Sequence, residues 1–329
     1  MLRDAVARGL AEIVGAENVR ADVDVPRWPR GLGSWPTGRS EDTAPRPISL
    51  RPACELGDTG GSAPGVGLRA GKGYGPTADL PSGVLRGGRA DAVVRPRTAE
   101  EVRAVVALAG DEGLAVTVRG GGTGLWGGAV PARGGIVVST EYLAGEPEIH
   151  RDDLYVVAGA GTLTGPLRAR LADAGLLYPV DPASEAGCTL GGNVGEGACG
   201  LRSLKYGTTR NYVLGLELVT AEAKLVTVGA RTVKNVAGYD LTRLMVGSEG
   251  TLAIATSVVL KVLPLPPDEV VTLYAFPDAM RAAEAAVEIN ALGFAPVLLE
   301  MMDRESLGGL GWAGDDLWKD AGAFLLVAS

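Results

Sequence analysis

The chain has 329 residues, of which 49 are glycine, and its formal net charge is −8. This acidic balance argues against a general nucleic-acid binder, which would carry a basic face, and no apolar run approaches the ~18 residues of a membrane span. Apolar residues make up 46% of the chain and aromatic residues only 5%, so we expect a core of Val, Leu, Ala and Ile large enough for two domains. Three cysteines without metal-ligand spacing favour reduced thiols, a reducing compartment and no metal site.

The N-terminal sequence predicts a helix. Residues 1–15, "MLRDAVARGLAEIVG", are amphipathic with charges inside the apolar pattern, which argues against a secretory signal peptide. We assign residues 1–25 to an N-terminal helix and expect a cytoplasmic protein.

The amino-acid composition of the chain changes at Pro26. Gly and Pro supply 23 of the 65 residues over 26–90, a share typical of low complexity. We interpret residues 26–78 as a Gly/Pro-rich, disordered insertion without an assigned function.

An α/β unit is predicted next. Apolar runs at 91–96, 114–118 and 134–140 are typical of buried strands. A helix is predicted over 98–113, because Thr98–Glu101 forms a capping box and Gly113 ends the periodic pattern. The strand at 114–118 leads directly into a glycine-rich stretch rather than into a helix.

A second group of elements follows, and the pattern resets after Pro267. The elements of the second group are strands at 154–162, 212–220, 224–229 and 252–262 and a helix at 165–175. The last part of the chain predicts strands at 269–276, 296–303 and 323–329 and a helix at 277–290. The final strand has nothing after it to cover it, so we expect either a partner chain that pairs with it or a fragment.

Two glycine-rich stretches stand out against these elements. The first, "RGGGTGLWGG" over 119–128, lacks the closing Lys-Ser or Lys-Thr of a Walker loop and the third glycine of a dinucleotide turn. Its successive N–H groups can still form an anion nest, to which Thr123 adds a hydroxyl. The loop alone leaves a diphosphate cradle and a plain chain-reversing turn equally open. The second stretch, over 178–210, is a long irregular run that suits backbone laid against a large flat ligand.

Three segments resemble, in the correct order, the signature segments of the FAD-linked oxidases, the vanillyl-alcohol-oxidase-like group with a PCMH-type FAD-binding domain. They are "RGGGTGLWGGAVP", "DPAS…CTLGGNVGEGACGLRSLKYGTTRNYVLGLELV" and "KNVAGYDLTRLMVGSEGTLAIAT". The branch that they resemble most contains the glycolate oxidase flavoprotein subunit, D-lactate dehydrogenase and D-2-hydroxyglutarate dehydrogenase. The resemblance covers roughly Asp91 to Pro267.

The resemblance implies an α+β fold with a two-subdomain PCMH-type FAD-binding domain over 79–267. Its subdomains would span about 79–142 and 143–267. An incomplete α+β cap domain with an antiparallel sheet, where relatives bind substrate, would follow over 268–329. A nucleotide-binding module of another class, such as an NAD-dependent one, is the weaker alternative.

The resemblance also implies FAD as cofactor and a site for it. The first segment would wrap the pyrophosphate, the second would pass along the flavin and ribityl chain, and the third would lie near the adenine and ribose. Some relatives attach the flavin covalently through a histidine where this chain has Thr123, and Cys188 is outside the linking pattern, so noncovalent FAD is implied. The implied cofactor-binding residues are Gly120, Gly121, Gly122, Thr123, Gly124, Gly127, Gly128, Pro182, Ser184, Thr189, Gly192, Asn193, Gly195, Gly200, Tyr206, Gly207, Glu249, Gly250 and Ile254.

The implied reaction is the oxidation of a D-2-hydroxy acid, such as glycolate or D-lactate, by hydride transfer to flavin N5. A separate electron acceptor (a quinone, a cytochrome or an electron-transfer protein) would reoxidise the flavin. In this branch the base and the metal ligands lie in histidine-containing motifs late in the cap, whereas this chain has one histidine, His150, for which we expect no role. The catalytic residues therefore stay unassigned.

Three explanations of this departure remain open. The chain is a fragment that keeps the FAD module, or a natural FAD-binding subunit whose partner completes the site and holds it at a membrane surface. In the third explanation Lys205, Arg210, Lys234 or Tyr239 carries activity within the module. For each of these four residues we favour a packing or surface-charge role, and we expect Cys188 and Cys199 to be small buried residues.

Overall fold

The computed structural model describes residues 4–26, 87–309 and 321–329. The predicted insertion, apart from Pro26, lies outside the described residues. The described chain divides into two compact units, which are treated separately below. The first unit contains residues 4–26, 87–200 and 207–265, and the second contains residues 201–206, 266–309 and 321–329.

Helices and strands both occur in each unit, as an α+β fold requires. The helices are α1 (Asp4–Val14), α2 (Ala99–Asp111), α3 (Thr164–Asp173), α4 (Leu190–Glu196), α5 (Ser203–Tyr206), α6 (Leu241–Met245), α7 (Ala279–Ala291) and α8 (Arg304–Gly309). The strands are β1 (Val19–Pro26), β2 (Gly87–Val94), β3 (Val116–Arg119), β4 (Ile136–Ser139), β5 (Glu148–His150), β6 (Tyr155–Gly159), β7 (Leu176–Leu177), β8 (Val213–Thr220), β9 (Leu225–Gly229), β10 (Ala253–Lys261), β11 (Leu263–Pro264), β12 (Val271–Phe276), β13 (Leu298–Asp303) and β14 (Ala323–Ala328).

The first sheet has the order β1-β2-β4-β3, with β1 antiparallel to β2 and the other neighbours parallel. Helices α1 and α2 bury their apolar faces on it, where Leu10 and Val105 join Ile136 in one core cluster. The predicted helix over 1–25 is wrong in its second half, because residues 19–26 form β1. The alternation "VRADVDV" has the period of a strand, and pairing with β2 satisfies its backbone.

Helix α2 begins where its caps predict. The Thr98 hydroxyl accepts a hydrogen bond from the Glu101 N–H at 3.1 Å, and the Glu101 carboxylate accepts one from the Arg97 N–H at 2.7 Å. Gly113 has a φ of +63° and follows the helix end. Strand β3 follows and pairs in parallel with β4, so the glycine-rich loop 120–135 starts at the carboxyl end of a sheet strand.

The second sheet has the order β5-β6-β10-β8-β9 and is antiparallel throughout. The predicted strands over 154–162, 212–220, 224–229 and 252–262 correspond to β6, β8, β9 and β10. Strand β10 alternates buried and partly exposed positions along its length, which is the pattern of a sheet with one face against a core. Both sheets belong to the first unit, and Val102 and Val106 of α2 share a core cluster with Val219 and Ile254 of the second sheet.

The second unit contains a three-stranded antiparallel sheet of order β12-β14-β13, packed with α7. Asp278 caps α7 by accepting a hydrogen bond from the Arg281 N–H at 2.9 Å. The expectation that the final strand lacks a cover was wrong, because β14 is the central strand and pairs on both sides. Chain order and strand order differ here, which a single-sequence pattern does not reveal.

Candidate functional site

Three chain segments of the first unit line one cavity of about 240 Å³. The first is the loop after β3, the second contains α4, and the third connects α6 to β10. The segments are those that carry the family resemblance, so the fold brings together what is far apart in sequence. The predicted cofactor-binding residues that line the cavity are Gly120, Gly121, Gly122, Thr123, Gly124, Gly128, Pro182, Ser184, Thr189, Gly192, Asn193, Gly195, Glu249, Gly250 and Ile254.

The first and second segments touch backbone to backbone. A methyl group at Gly121 would collide with the carbonyl oxygen of Gly187, and one at Gly120 would collide with the hydroxyl of Thr189. Gly121 lies outside the positive-φ region, so the requirement at this position is close approach rather than backbone conformation. Any side chain here would push the two cavity walls apart.

The third segment is tied to the end of α4. The Gly247 and Glu249 N–H groups donate to the carbonyl oxygens of Val194 and Gly195, each at 2.9 Å. The orphan carbonyls at the end of a short helix are thereby satisfied, and the Glu249 carboxylate is placed over Gly128 of the first loop.

Part of the first loop has backbone N–H groups without partners in the described chain. Within the described residues, none of the N–H groups over 121–128 donates a hydrogen bond to another group of the chain. Backbone donors that are partly removed from water are normally paired. A run of unpaired donors on glycine-rich backbone is the arrangement that an anion nest requires.

The second segment uses backbone N–H groups in hydrogen bonds within the fold. Thr189 caps α4, since its hydroxyl accepts from the Gly192 N–H at 3.2 Å and its carbonyl oxygen accepts from the Asn193 N–H at 2.8 Å. The sequence analysis treated this stretch as irregular, and the structure corrects it by placing a capped helix there. The segment's backbone donors with partners inside the chain include those of Gly187, Cys188, Leu190, Gly191, Gly192 and Asn193.

Two carboxylates line the cavity beside the first loop. The Glu196 side chain lies against Gly124, and Glu249 lies against Gly128. The pKa of Glu196 is raised above its ordinary value. The main cause is loss of hydration beside the loop, and the second is repulsion from Glu249. The sequence analysis missed Glu196, although it stands inside the quoted motif "GGNVGEG", because a partly exposed Glu on a short helix carries no pattern of its own.

A buried arginine lies beneath the same loop. Arg119, at the end of β3, is 3% exposed, and its guanidinium packs against Gly122. Burial lowers the pKa of Arg119, and the Glu141 carboxylate opposes that effect. The sequence analysis missed Arg119 as well, since a charged residue at the end of a strand predicts an exposed position.

The remaining predicted cofactor-binding residues do not line the cavity. Gly127 belongs to the first loop, with a φ of +91°. Gly200 packs against the Asp181 backbone, and Gly207 packs against Asn211 with a φ of +83°. Tyr206 belongs to the second unit, where it packs against the cluster of Val297, Leu298 and Ala328.

His150, for which no role is expected, and two of the four alternative catalytic candidates, Lys205 and Arg210, have ordinary surroundings. His150 stacks on Tyr155 with ring centroids 4.3 Å apart. Arg210 donates to the carbonyl oxygens of Arg243 and Val246 and so caps the end of α6. The Lys205 ammonium lies 5.5 Å from the Tyr206 ring centroid. Among the described residues that line the cavity, none is Lys, Arg or His.

The two cysteines in the described part of the chain are free thiols. Cys188 is buried and its thiol donates to the Thr164 hydroxyl at 3.4 Å, so the expected packing role fits. The expectation that Cys199 is buried was wrong, because it is exposed. Over the described ranges, no cluster of three or more His, Cys, Asp or Glu side chains is arranged to hold a metal ion.

The helices in the described part of the chain include none with the length and apolar character to cross a membrane.

Comparison with known proteins agrees with the geometry of the site. Residues 90–229 match the family described as FAD binding domain. The chain is 38% identical over 217 residues to the glycolate oxidase subunit GlcD of Bacillus subtilis (strain 168), covering 66% of this chain and 46% of that protein. It is 42% identical over 215 residues to a D-lactate dehydrogenase of Archaeoglobus fulgidus, covering 65% of this chain and 48% of that protein. The chain therefore spans about half the length of the curated relatives it matches.

A solved structure supports the fold. Alkyldihydroxyacetonephosphate synthase superposes with a TM-score of 0.63 at 22% sequence identity, covering 73% of this chain and 47% of that one. The cavity also has the chemistry that FAD needs, since unpaired N–H groups suit its diphosphate and glycine-lined walls suit its flat rings. Residues 90–229 of this chain thus match an FAD binding domain in sequence, and the cavity that they help to line has the chemistry of an FAD site.

Proposed function

We propose that the chain is an FAD-dependent oxidoreductase, or the FAD module of one, that acts on a D-2-hydroxy acid such as glycolate or D-lactate. The names of the two relatives described above support this substrate class. The FAD is held noncovalently, because Thr123 occupies the position at which some members of the family carry a linking histidine. A quinone, a cytochrome or an electron-transfer protein accepts the electrons. The protein works in the cytoplasm, alone or at a membrane surface through a partner subunit.

The unpaired N–H groups over 121–128 are the observation that carries this proposal. A diphosphate has enough acceptor oxygens to occupy several of them at once, and charge-assisted hydrogen bonds of this kind are strong. The plain chain-reversing turn, which the sequence left open, gives no reason for a glycine-rich loop to leave its donors without partners.

In this proposal each part of the cofactor has a part of the site. The loop around Gly121 and Thr123 holds the diphosphate, and the α4 segment with Thr189 and Asn193 forms the wall along the ribityl chain and the rings. The segment ending at Ile254 closes the side of the adenine and ribose. Bound FAD would supply a hydride acceptor at flavin N5, and the close approach of Gly121 to Gly187 holds the first two segments together.

Reconstitution of the purified full chain tests the proposal. We expect the protein to acquire a flavin absorption band after incubation with FAD and to release the flavin on acid precipitation, as a noncovalent cofactor does. With a dye as electron acceptor, glycolate or D-lactate should be turned over. Protein that stays colourless at saturating FAD contradicts the proposal, and flavin that stays with the acid precipitate contradicts the noncovalent attachment.

A second function is a non-catalytic FAD-binding subunit that needs a partner chain to complete the active site. The composition of the described cavity lining favours it, because oxidation of a hydroxy acid needs a base and a cation for the substrate carboxylate. The charged side chains among these lining residues are the carboxylates Glu196 and Glu249. This alternative predicts FAD binding without turnover, so the same reconstituted protein distinguishes the two functions.

A further inference from the structure

The buried arginine at the start of the first loop has no role in the function proposed so far. Arg119 does not line the cavity, yet it is among the most deeply buried charged residues of the described chain. Removing a guanidinium from water is costly and needs compensation from its surroundings. Its position against the glycine loop indicates where that compensation comes from.

The Arg119 guanidinium determines the shape of the loop at two points. A methyl group at Gly122 would collide with the guanidinium, and Gly122 has a φ of +66°. On the far side of the loop, Nη1 donates to the carbonyl oxygen of Ala129 at 3.4 Å. One side chain thus supports the stretch from Gly122 to Ala129, which contains the unpaired N–H groups.

The same side chain places a positive charge beside the loop that carries those N–H groups. Arginine keeps its proton even where burial lowers its pKa, and charge in a poorly hydrated surrounding acts strongly over a few ångströms. Glu141 raises the pKa of Arg119 electrostatically and pairs with Arg95, with Oε1 2.8 Å from Nε. The Glu141 carboxylate therefore reduces the positive electrostatic potential at the loop.

We infer that Arg119 is a positioning residue for the cofactor diphosphate. It holds the glycine loop in shape, and it attracts the anion across the loop backbone. This inference rests on the proposed function, since it assumes that the loop binds FAD. A role in loop packing alone would depend on the shape of the side chain and not on its charge.

The experiment separates the effect of the Arg119 charge from the effect of its side-chain shape. FAD is titrated into the full chain of each variant, and binding is followed by flavin fluorescence. Arg119→Met keeps much of the side-chain volume and removes the charge, and we expect FAD to bind about tenfold more weakly. Arg119→Lys keeps the charge and should bind FAD more tightly than Arg119→Met does, because the electrostatic attraction remains. Arg103→Met is the matched control, because Arg103 is exposed on α2 and pairs with Glu100, and its affinity should not change.

Glu141→Gln tests the same charge from the opposite direction. Removing the carboxylate that opposes Arg119 should strengthen FAD binding about threefold, whereas a packing role predicts weaker or unchanged binding. This variant keeps an acceptor oxygen for Arg95, and it decides the question even if Arg119→Met does not fold, as judged by circular dichroism. Equal losses in Arg119→Met and Arg119→Lys, or no gain in Glu141→Gln, would overturn the inference. A wild-type chain that binds no FAD would instead overturn the proposed function, and the inference with it.

Discussion

The two glycine-rich segments that face each other across the cavity use their backbones in opposite ways. The first loop leaves the N–H groups over 121–128 without partners in the described chain, whereas the second uses those of residues such as Gly191 and Asn193 within and around α4. Glycine therefore serves two purposes here, the exposure of donors in the first segment and close packing of a helix end in the second. Sequence composition alone makes the two segments look alike.

This difference predicts that changes to the first segment affect cofactor binding most, whereas changes to the second act mainly through stability. The largest effect is expected for Gly121→Ala, because the new methyl group meets the Gly187 carbonyl oxygen and must displace the loop. FAD affinity should fall by about a hundredfold or more, while overpacking costs about 1–3 kcal/mol of folding stability. Isothermal titration with FAD and chemical denaturation measure the two quantities.

Gly145→Ala is the matched control for that variant. Gly145 lies in the connection between β4 and β5 and has open space around its Cα. Its FAD affinity and stability should equal those of the wild-type protein. If both alanine variants bind FAD as the wild-type protein does, the first loop is not the diphosphate site.

The second segment is tested by removing the cap of α4. Thr189→Val keeps the shape of the side chain but removes the acceptor for the Gly192 N–H, which should cost about 1 kcal/mol of folding stability. We expect FAD affinity to fall by about tenfold or less, because the wall moves while the donors of the first loop remain. Thr189→Ser retains the hydroxyl and should behave as the wild-type protein. A loss of affinity as large as that of Gly121→Ala would remove the distinction between the segments.

Sequence reasoning located the segments well because their signals are local. The capping box at Thr98, the end of α2 at Gly113 and the alternation in β10 each depend on neighbours within a few residues. The order of three long motifs then predicted an FAD site, and most of its residues line one cavity.

What the sequence did not predict depends on contacts between distant residues. The pairing of Arg20 with Val93 joins β1 to β2 across a long stretch of chain. The placement of Arg119 under Gly122 follows from the tertiary position of the loop, and so does that of Glu196 against Gly124. A charged residue carries no sign of being buried until its surroundings are known.

A smaller effect is expected where the two segments meet at Glu196, whose carboxylate lies beside the first loop. Because its pKa is raised in the folded state, ionisation above the ordinary pKa of 4.5 costs folding stability. Glu196→Gln should therefore melt at a higher temperature than the wild-type protein at neutral pH, and this difference should disappear below pH 4.5. FAD should bind a few-fold more tightly at neutral pH, since one negative charge beside the diphosphate is lost.

Glu288→Gln on the exposed side of α7 controls for a general change in net charge. It should alter neither the melting temperature nor FAD affinity. A Glu196→Gln variant that matches this control at every pH would show that the carboxylate does not interact with the loop.

The smallest change in affinity is expected at the rim of the first loop. Trp126 lines the cavity but is 83% exposed, and substitutions at such positions change free energies by about 0.5 kcal/mol or less. Trp126→Phe should therefore bind FAD within about twofold of the wild-type protein.

The same variant also tests where the cofactor lies. Because an indole beside the first loop would lie close to bound flavin nucleotide, Trp126 should contribute to the loss of tryptophan fluorescence on FAD addition. The fractional quenching should thus be smaller in Trp126→Phe at equal saturation. Equal quenching in both proteins would contradict the placement of the cofactor beside the first loop.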